Sequence, residues 1–274
     1  MKPILAAHLL PVVDAQLVEL LRALRDDEWE LQTVAPAWTV KDVAAHLLDT
    51  QLRKLSLVRD GGADATAPMP SHDELLAFIN RLNREGVRMY RRLSPPILIA
   101  MIEAASREAA EFHQTLDPMA DAAFGVSWAG EERSPNWFDT ARELTERWHH
   151  QQQIRLATNR PGIMTRELYY PVLDCFMRAL PFTYREMPGE ARTYLRFNVA
   201  GECGGSWYLY RDAEGWVQVE EPEGAQASET TIPQDIAWRI FTKGIDREAA
   251  AAQVLITGDR GLGSHVMSMV AIVG

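Results

Sequence analysis

The hydrophobic pattern changes period once, near residues 160–165, and that switch divides the chain into two folding problems. Before it, apolar residues recur at helical spacing. From His8 to Leu24 they are Leu9, Val13, Leu17, Leu20, Leu21 and Leu24. TVKDVAAHLLDTQLRKLSLV predicts a second helix, with Thr39 as N-cap, Asp42 in the first turn and an inward stripe of Val40, Ala44, Leu47, Gln51 and Leu55. GGADATAPMP reads as a loop. A third helix follows over 71–93, capped by Ser71 or Asp73, and a fourth from Ile97 to about Leu116. A loop holding Gly125, Gly130 and Pro135 leads to a fifth helix over Trp137–Thr158. Asn159 suits the left-handed position after a helix, and Pro161 prevents continuation.

Beyond the switch, a helix is expected over 166–180. RTYLRFNVAG, SWYLYRD, GWVQVEE and AQASETTI are then short β-branched and aromatic runs separated by turn residues. They read as an antiparallel meander, followed by a helix in PQDIAWRIFTKG, a strand in AQVLITGD and a last helix in LGSHVMSMVAIV. The expected organisation is α+β: a helical bundle over 1–162 and an α/β domain with an antiparallel sheet over 163–274. A chain of 274 residues that is 47% hydrophobic can bury such cores without staples. Its net charge of −10 argues against nucleic-acid and anionic-membrane partners. No apolar run reaches the roughly 18 residues of a membrane span, and MKPILAAHLLPVVDAQ lacks the features of a secretory leader, so a cytoplasmic location is expected. With Cys175 and Cys203 alone, neither a disulfide framework nor a Cys-rich zinc site is available. Cys175 is expected buried and Cys203 partly exposed.

Chemistry concentrates in ARELTERWHHQQQIRLAT. Glu146 and His150 are four residues apart, so they share one helical face, which continues as Ile154 and Ala157. A carboxylate and an imidazole on a buried face need partners, because burying them unpaired costs several kcal/mol each. They either hydrogen-bond each other or share a cation with a third ligand from a facing helix. His46, in VAAHLLD, is the natural third ligand, and Asp42 and Asp49 stand where either could hold its other ring nitrogen. Two histidines and a carboxylate suit zinc with an open position, and also other divalent metals. His149 points about 100° away from His150 and reads as structural or as a support behind the ligands. His72 and His113 read as surface residues and His265 as a rim residue.

APAWTVKDVAAHLL and ELTERWHHQQQIRLATNRPG, about 100 residues apart, resemble the metal-binding domain of mycothiol-dependent maleylpyruvate isomerases, within the DinB-like bundle superfamily. The matching positions are Trp38, Thr39, Val40, Asp42 and His46, then Glu146, His150 and Asn159–Arg160–Pro161. Gln153 departs from the pattern, which commonly has Asp there. The resemblance implies a DinB-like up-down four-helix bundle, then a small sterol-carrier-like α/β domain, the latter echoed by GSWYLYRDAEGWVQV and ITGDRGL. It implies metal ligation by His46, Glu146 and His150, with zinc first among divalent ions.

It also implies a metal-activated low-molecular-weight thiol, mycothiol or an analogue, used in isomerisation or S-transfer on a small electrophilic substrate. Arg260, after ITGD, is the candidate cation for a substrate carboxylate. Two other functions use the same features. The site could serve metal-assisted hydrolysis, or the C-terminal domain, with Trp207, Trp216 and Trp238, could make a non-catalytic ligand-binding or sensor protein. Activity without thiol identifies the hydrolase, and metal-independent binding the sensor. The expected partners are a small-molecule substrate and at most a second copy, as monomer or homodimer.

Overall fold

A computed structural model describes residues 2–62 and 72–272. The chain forms two compact units. One comprises Leu5–Ala123 and Pro135–Ile163; the other comprises Met164–Ile272 with Phe124–Ser134 and the first few residues. The division is therefore not the single cut expected at 162. Residues 124–134, read above as a connecting loop, carry Val126 and Trp128, both buried. Gly130, at φ +79°, lies so close to Phe182 that a Cβ there would fall 2.4 Å from the ring.

The first unit holds α1 (Leu10–Arg22), α2 (Val40–Lys54), α3 (His72–Tyr90), α4 (Pro95–Thr115) and α5 (Asn136–Thr158). α1, α2, α4 and α5 pack on one another as the expected four-helix bundle, and α3 lies against α2. Leu17, Leu21, Val43, Leu47, Ile102 and Ile154 meet in its core. Thr39 caps α2 reciprocally: its Oγ1 accepts from Asp42 N, and Asp42 Oδ2 accepts from Thr39 N at 3.1 Å. Past Lys54 the helix widens into one π-helical turn, Leu55–Arg59. Ser71 and residues 63–70 of the predicted loop lie outside the described residues, as do the side chains of His72 and Asp73. α5 ends where the sequence predicts, with Asn159 at φ 52° and Arg160 N donating to Arg155 O at 2.9 Å.

The second unit holds α6 (Arg166–Met177), α7 (Leu180–Tyr184), β1 (Thr193–Ala200), β2 (Gly205–Arg211), β3 (Trp216–Val219), β4 (Ala225–Pro233), α8 (Gln234–Phe241), α9 (Arg247–Ala251), β5 (Leu255–Gly258) and α10 (Arg260–His265). The strand order is β3-β2-β1-β4-β5. This corrects the antiparallel sheet expected from sequence: β1–β2–β3 form a meander, but β4 crosses to the far edge of β1 and pairs with it in parallel. Alternation fixes which face a residue occupies, not which edge its strand joins. The crossover is tight. Gly224 has φ +94°, and a Cβ there would sit 1.9 Å from Arg192 O.

Leu195, Phe197, Leu209 and Ile232 of the sheet are fully buried, as are Tyr169, Phe176, Tyr184 and Phe241. Trp207, Trp216 and Trp238 are all buried; the first two donate to Asp174 Oδ1 and Met187 O. They belong to the core rather than to an open ligand pocket. The last helix is shorter than its apolar run predicts, stopping at His265 before a single 3₁₀ turn, Val266–Ser268. α9 is an element that the sequence reading did not anticipate. Among the described residues, no helix is long and apolar enough to cross a membrane.

Candidate metal centre

α2 and α5 face one another in the bundle and bring their chemistry together. One ligand atom each from His46, Glu146 and His150 lies within 4.8 Å of the others. His150 Nε2 stands 3.5 Å from Glu146 Oε2. Bonds of about 2.1 Å at tetrahedral angles place donors about 3.4 Å apart, so that pair is already spaced for a shared ion. The His46 and His150 rings are 4.6 Å apart and nearly perpendicular. Trp38, just before the Thr39 cap, is half-buried, with its ring 4.6 Å from His46 and 5.8 Å from His150.

The electrostatics of the cluster suit a cation. Burial, with His150 adding to it, keeps the His46 imidazole neutral by holding its pKa well below the ordinary value. Burial likewise lowers His149 to about 3. For Glu146, burial favours the neutral acid, but hydrogen bonding from His150 and the neighbouring His149 and Arg142 outweigh it, so the carboxyl is held below its usual range. Neutral imidazole and ionised carboxylate are the ligating forms. His46 Nδ1 is buried and has no hydrogen-bond partner among the described residues. An orphaned, buried imidazole nitrogen on a residue of this cluster fits a missing ion.

The expectation that Asp42 or Asp49 would hold the other ring nitrogen of His46 is not met. Asp42 serves the α2 cap and pairs with Arg91 at 3.3 Å, and Asp49 pairs with Arg53 at 2.8 Å. Cations nearby claimed both carboxylates. His149 is structural, as expected: its Nδ1 lies 2.8 Å from Thr145 O. Gln153 places Oε1 3.0 Å from His150 Nδ1, a second contact to that ligand.

Sequence reasoning missed a buried polar layer one to two turns away. Lys54 Nζ bonds Asp139 Oδ2 and lies 3.7 Å from Glu143, while Arg142 bonds both carboxylates. Asp14 and Arg147 form another buried pair. Charges three and four residues apart normally mark a solvated face, so only their overlap with the apolar register of α5 signalled burial. His113 is not a surface residue: it is buried, with Nδ1 3.0 Å from Thr140 Oγ1. Cys203 is buried rather than partly exposed, its Sγ 3.3 Å from Met164 O. In the same unit, His265 Nε2 lies 3.0 Å from Thr183 O, and Arg260 is exposed at the first position of α10.

A helical bundle with a His/Glu/His cluster, followed by a mixed α/β domain, defines a DinB-like protein with an added C-terminal domain. The family model described as mycothiol maleylpyruvate isomerase N-terminal domain matches residues 10–155, more than half of the chain, and the chain belongs to that family. Two solved structures share the fold. One is a mutant of the mycothiol-dependent maleylpyruvate isomerase: TM-score 0.57, 10% identity, covering 94% of this chain and 96% of that one. The other is the mycothiol-dependent maleylpyruvate isomerase itself: TM-score 0.54, 11% identity, covering 88% and 91%. No curated protein matches significantly. Family, fold and cluster together support a metal-dependent enzyme of the DinB-like superfamily.

Proposed function

We propose that His46, Glu146 and His150 hold a divalent cation, zinc first, and that the protein is a metal- and thiol-dependent isomerase or transferase of the mycothiol-dependent maleylpyruvate isomerase type. It would use mycothiol or a similar small thiol on a small electrophilic substrate, in the cytoplasm, as monomer or homodimer. The observation that carries this reading is the convergence of three ligand atoms from stretches 100 residues apart in sequence, with His46 Nδ1 left unpaired among the described residues. A divalent ion held by these three residues would supply Lewis acidity, which would lower the pKa of a bound thiol.

The chain's own residues fit a cosubstrate nucleophile. The two cysteines, Cys175 and Cys203, are buried, so neither offers an exposed thiol. Burial keeps His46 and His149 neutral, so neither imidazole adds positive charge to the cluster. Trp38 lays its indole against both histidine ligands. Arg260 is the proposed anchor for a substrate carboxylate, exposed and cationic at the start of α10.

Elemental analysis of the purified protein and of His46→Ala tests the site, and loss of free thiol against electrophile panels tests the reaction. Stoichiometric metal is expected in the parent and not in the variant, with turnover requiring both metal and thiol. Metal retained by His46→Ala overturns the site. Turnover that persists without thiol overturns the thiol chemistry and favours hydrolysis.

A further inference from the structure

We propose that the groove between α1 and α4 is a binding site separate from the metal cluster, and that it takes a small primary ammonium ion carried on an apolar body. The groove arises from side-chain size where the two helices pack. α1 presents Pro11, Asp14, Ala15 and Val18 to it, and α4 presents Ser106, Ala110 and Gln114. Within each set the spacing is three or four residues, so each set lies on one helical face. A seam between packed helices is normally filled by interdigitating side chains. Here Ala15, Ser106 and Ala110 stop short, and a hollow of about 610 Å³ is left along the seam. That volume is in the range of small-molecule sites, about 300–1,000 Å³.

Space alone assigns no ligand; the carboxylate in its wall does. The Asp14 side chain is 7% exposed and pairs with Arg147, which is 3% exposed. Arg147 Nη1 donates to Asp14 Oδ2, but Asp14 Oδ1 has no hydrogen-bond partner among the described residues. A buried carboxylate oxygen without a donor is costly and uncommon. Burial raises the Asp14 carboxyl to about 6, with Arg147 limiting the rise, so the group stays ionised at neutral pH. Ser106, also buried, donates its hydroxyl to Gln51 Oε1 at 2.8 Å, which leaves its oxygen able to accept. The wall of the groove thus holds two acceptors and no matching donor.

The charges around the rim carry the same preference. Arg22 is engaged by Glu103 at 2.6 Å, which ties α1 to α4. Glu19 and Glu111 then set two exposed carboxylates against the guanidinium of Arg107. With Asp14 balanced by Arg147, the rim is left net negative and complements a cation. An ammonium group brings three donors and no acceptor, which is what Asp14 Oδ1 and Ser106 Oγ require. A hydroxyl supplies one donor and no charge, and a carboxylate is repelled. Pro11, Ala15, Val18 and Ala110 offer apolar surface for the hydrocarbon behind the head.

Calorimetric titration of the full chain with hexylamine, hexan-1-ol and hexanoate compares three heads on one body, at about pH 7.5 where the amine is charged. Hexylamine is expected to saturate a single site with a Kd of about 1 mM or tighter. It should bind about tenfold tighter than hexan-1-ol, the margin of a charge-assisted hydrogen bond over a neutral one, and hexanoate should bind weakest. Ala15→Leu fills an exposed position of the groove with a residue that suits a helix, and should weaken hexylamine about tenfold. Asp14→Asn keeps the shape, removes the charge and should abolish the preference for hexylamine over hexan-1-ol. If Asp14→Asn does not fold, the parent's preference and Ala15→Leu still decide. Adding a metal chelator should leave hexylamine binding unchanged; loss of binding there puts the amine at the metal cluster and overturns the proposal. Absence of saturation, hexylamine within about twofold of hexan-1-ol, or unchanged affinity in Ala15→Leu overturns it as well.

Discussion

Lys54→Met removes a buried lysine of the bundle, and the consequence follows from what it leaves behind. Lys54 Nζ bonds Asp139 and lies 3.7 Å from Glu143, and the Lys54, Asp139 and Glu143 side chains are 6%, 3% and 9% exposed. Methionine matches the stem and packs into the same space, so the change is one of charge. Two buried carboxylates would then share Arg142 alone, with a net negative charge in the core. Breaking a buried pair from one side costs about 3–5 kcal/mol. At about 2–4 °C per kcal/mol for a domain of this size, Tm should fall by about 8–16 °C at neutral pH for a loss of about 4 kcal/mol. The loss should shrink with acid. In the parent, burial opposes ionisation of Asp139, but Lys54 and Arg142 outweigh it and hold its pKa below the ordinary range; that stability is present above the unfolded value and lost as pH falls through the folded one. The variant has less of it to lose, and protonation relieves its surplus charge. Calorimetry from pH 7 to about pH 3, below the ordinary carboxylate value of 3.8, measures both effects. A variant within about 1 kcal/mol of the parent, or a difference that does not change with pH, refutes the argument. Adding Asp139→Leu should recover much of the loss, because it removes the orphaned charge.

Two further perturbations address other parts of the chain. Burial lowers the His113 pKa from 6.5 to about 4, so the unfolded chain takes up a proton between these values and the folded one does not. The parent should lose about 3 kcal/mol on acidification through that window, and His113→Gln should lack this component. Chemical denaturation of the two proteins side by side checks it, and equal slopes contradict it. Comparing them cancels other groups, including Asp14, whose carboxyl burial raises to about 6. Gly224→Ala should destabilise the C-terminal unit severely, since its Cβ would meet Arg192 O at 1.9 Å on a backbone at φ +94°. Proteolysis should then cut preferentially after residue 164, and uniform resistance counts against it.

The features legible in the sequence are those that local chemistry determines. Thr39 with Asp42, Asn159 with Pro161, and the four-residue spacing of Glu146 and His150 each state their geometry within one helical turn. The three ligand atoms meet because α2 and α5 pack by the same apolar stripes that periodicity reveals. What the sequence hid depends on non-local choices. Lys54, Asp139 and Glu143 look like solvated charges until two helices enclose them, and His113 became buried through Thr140 on a different helix. Asp42 and Asp49 pair with arginines instead, one just after α3 and one four residues along α2. β4 alternates like its neighbours, and nothing in alternation tells it which edge to join.

The placement of β4 bears on how the chain is made. Strands β1, β2 and β3 pair through short hairpins and can assemble as soon as they leave the ribosome. β1, however, is the central strand, and its second edge stays bare until residues 225–233 arrive. Throughout that interval the nascent chain displays an unprotected strand edge carrying Leu195, Phe197 and Val199, the kind of surface that captures other unfinished chains. Pairing of β4 closes that edge of β1, and β5, at Leu255–Gly258, then covers the outer edge that β4 brings.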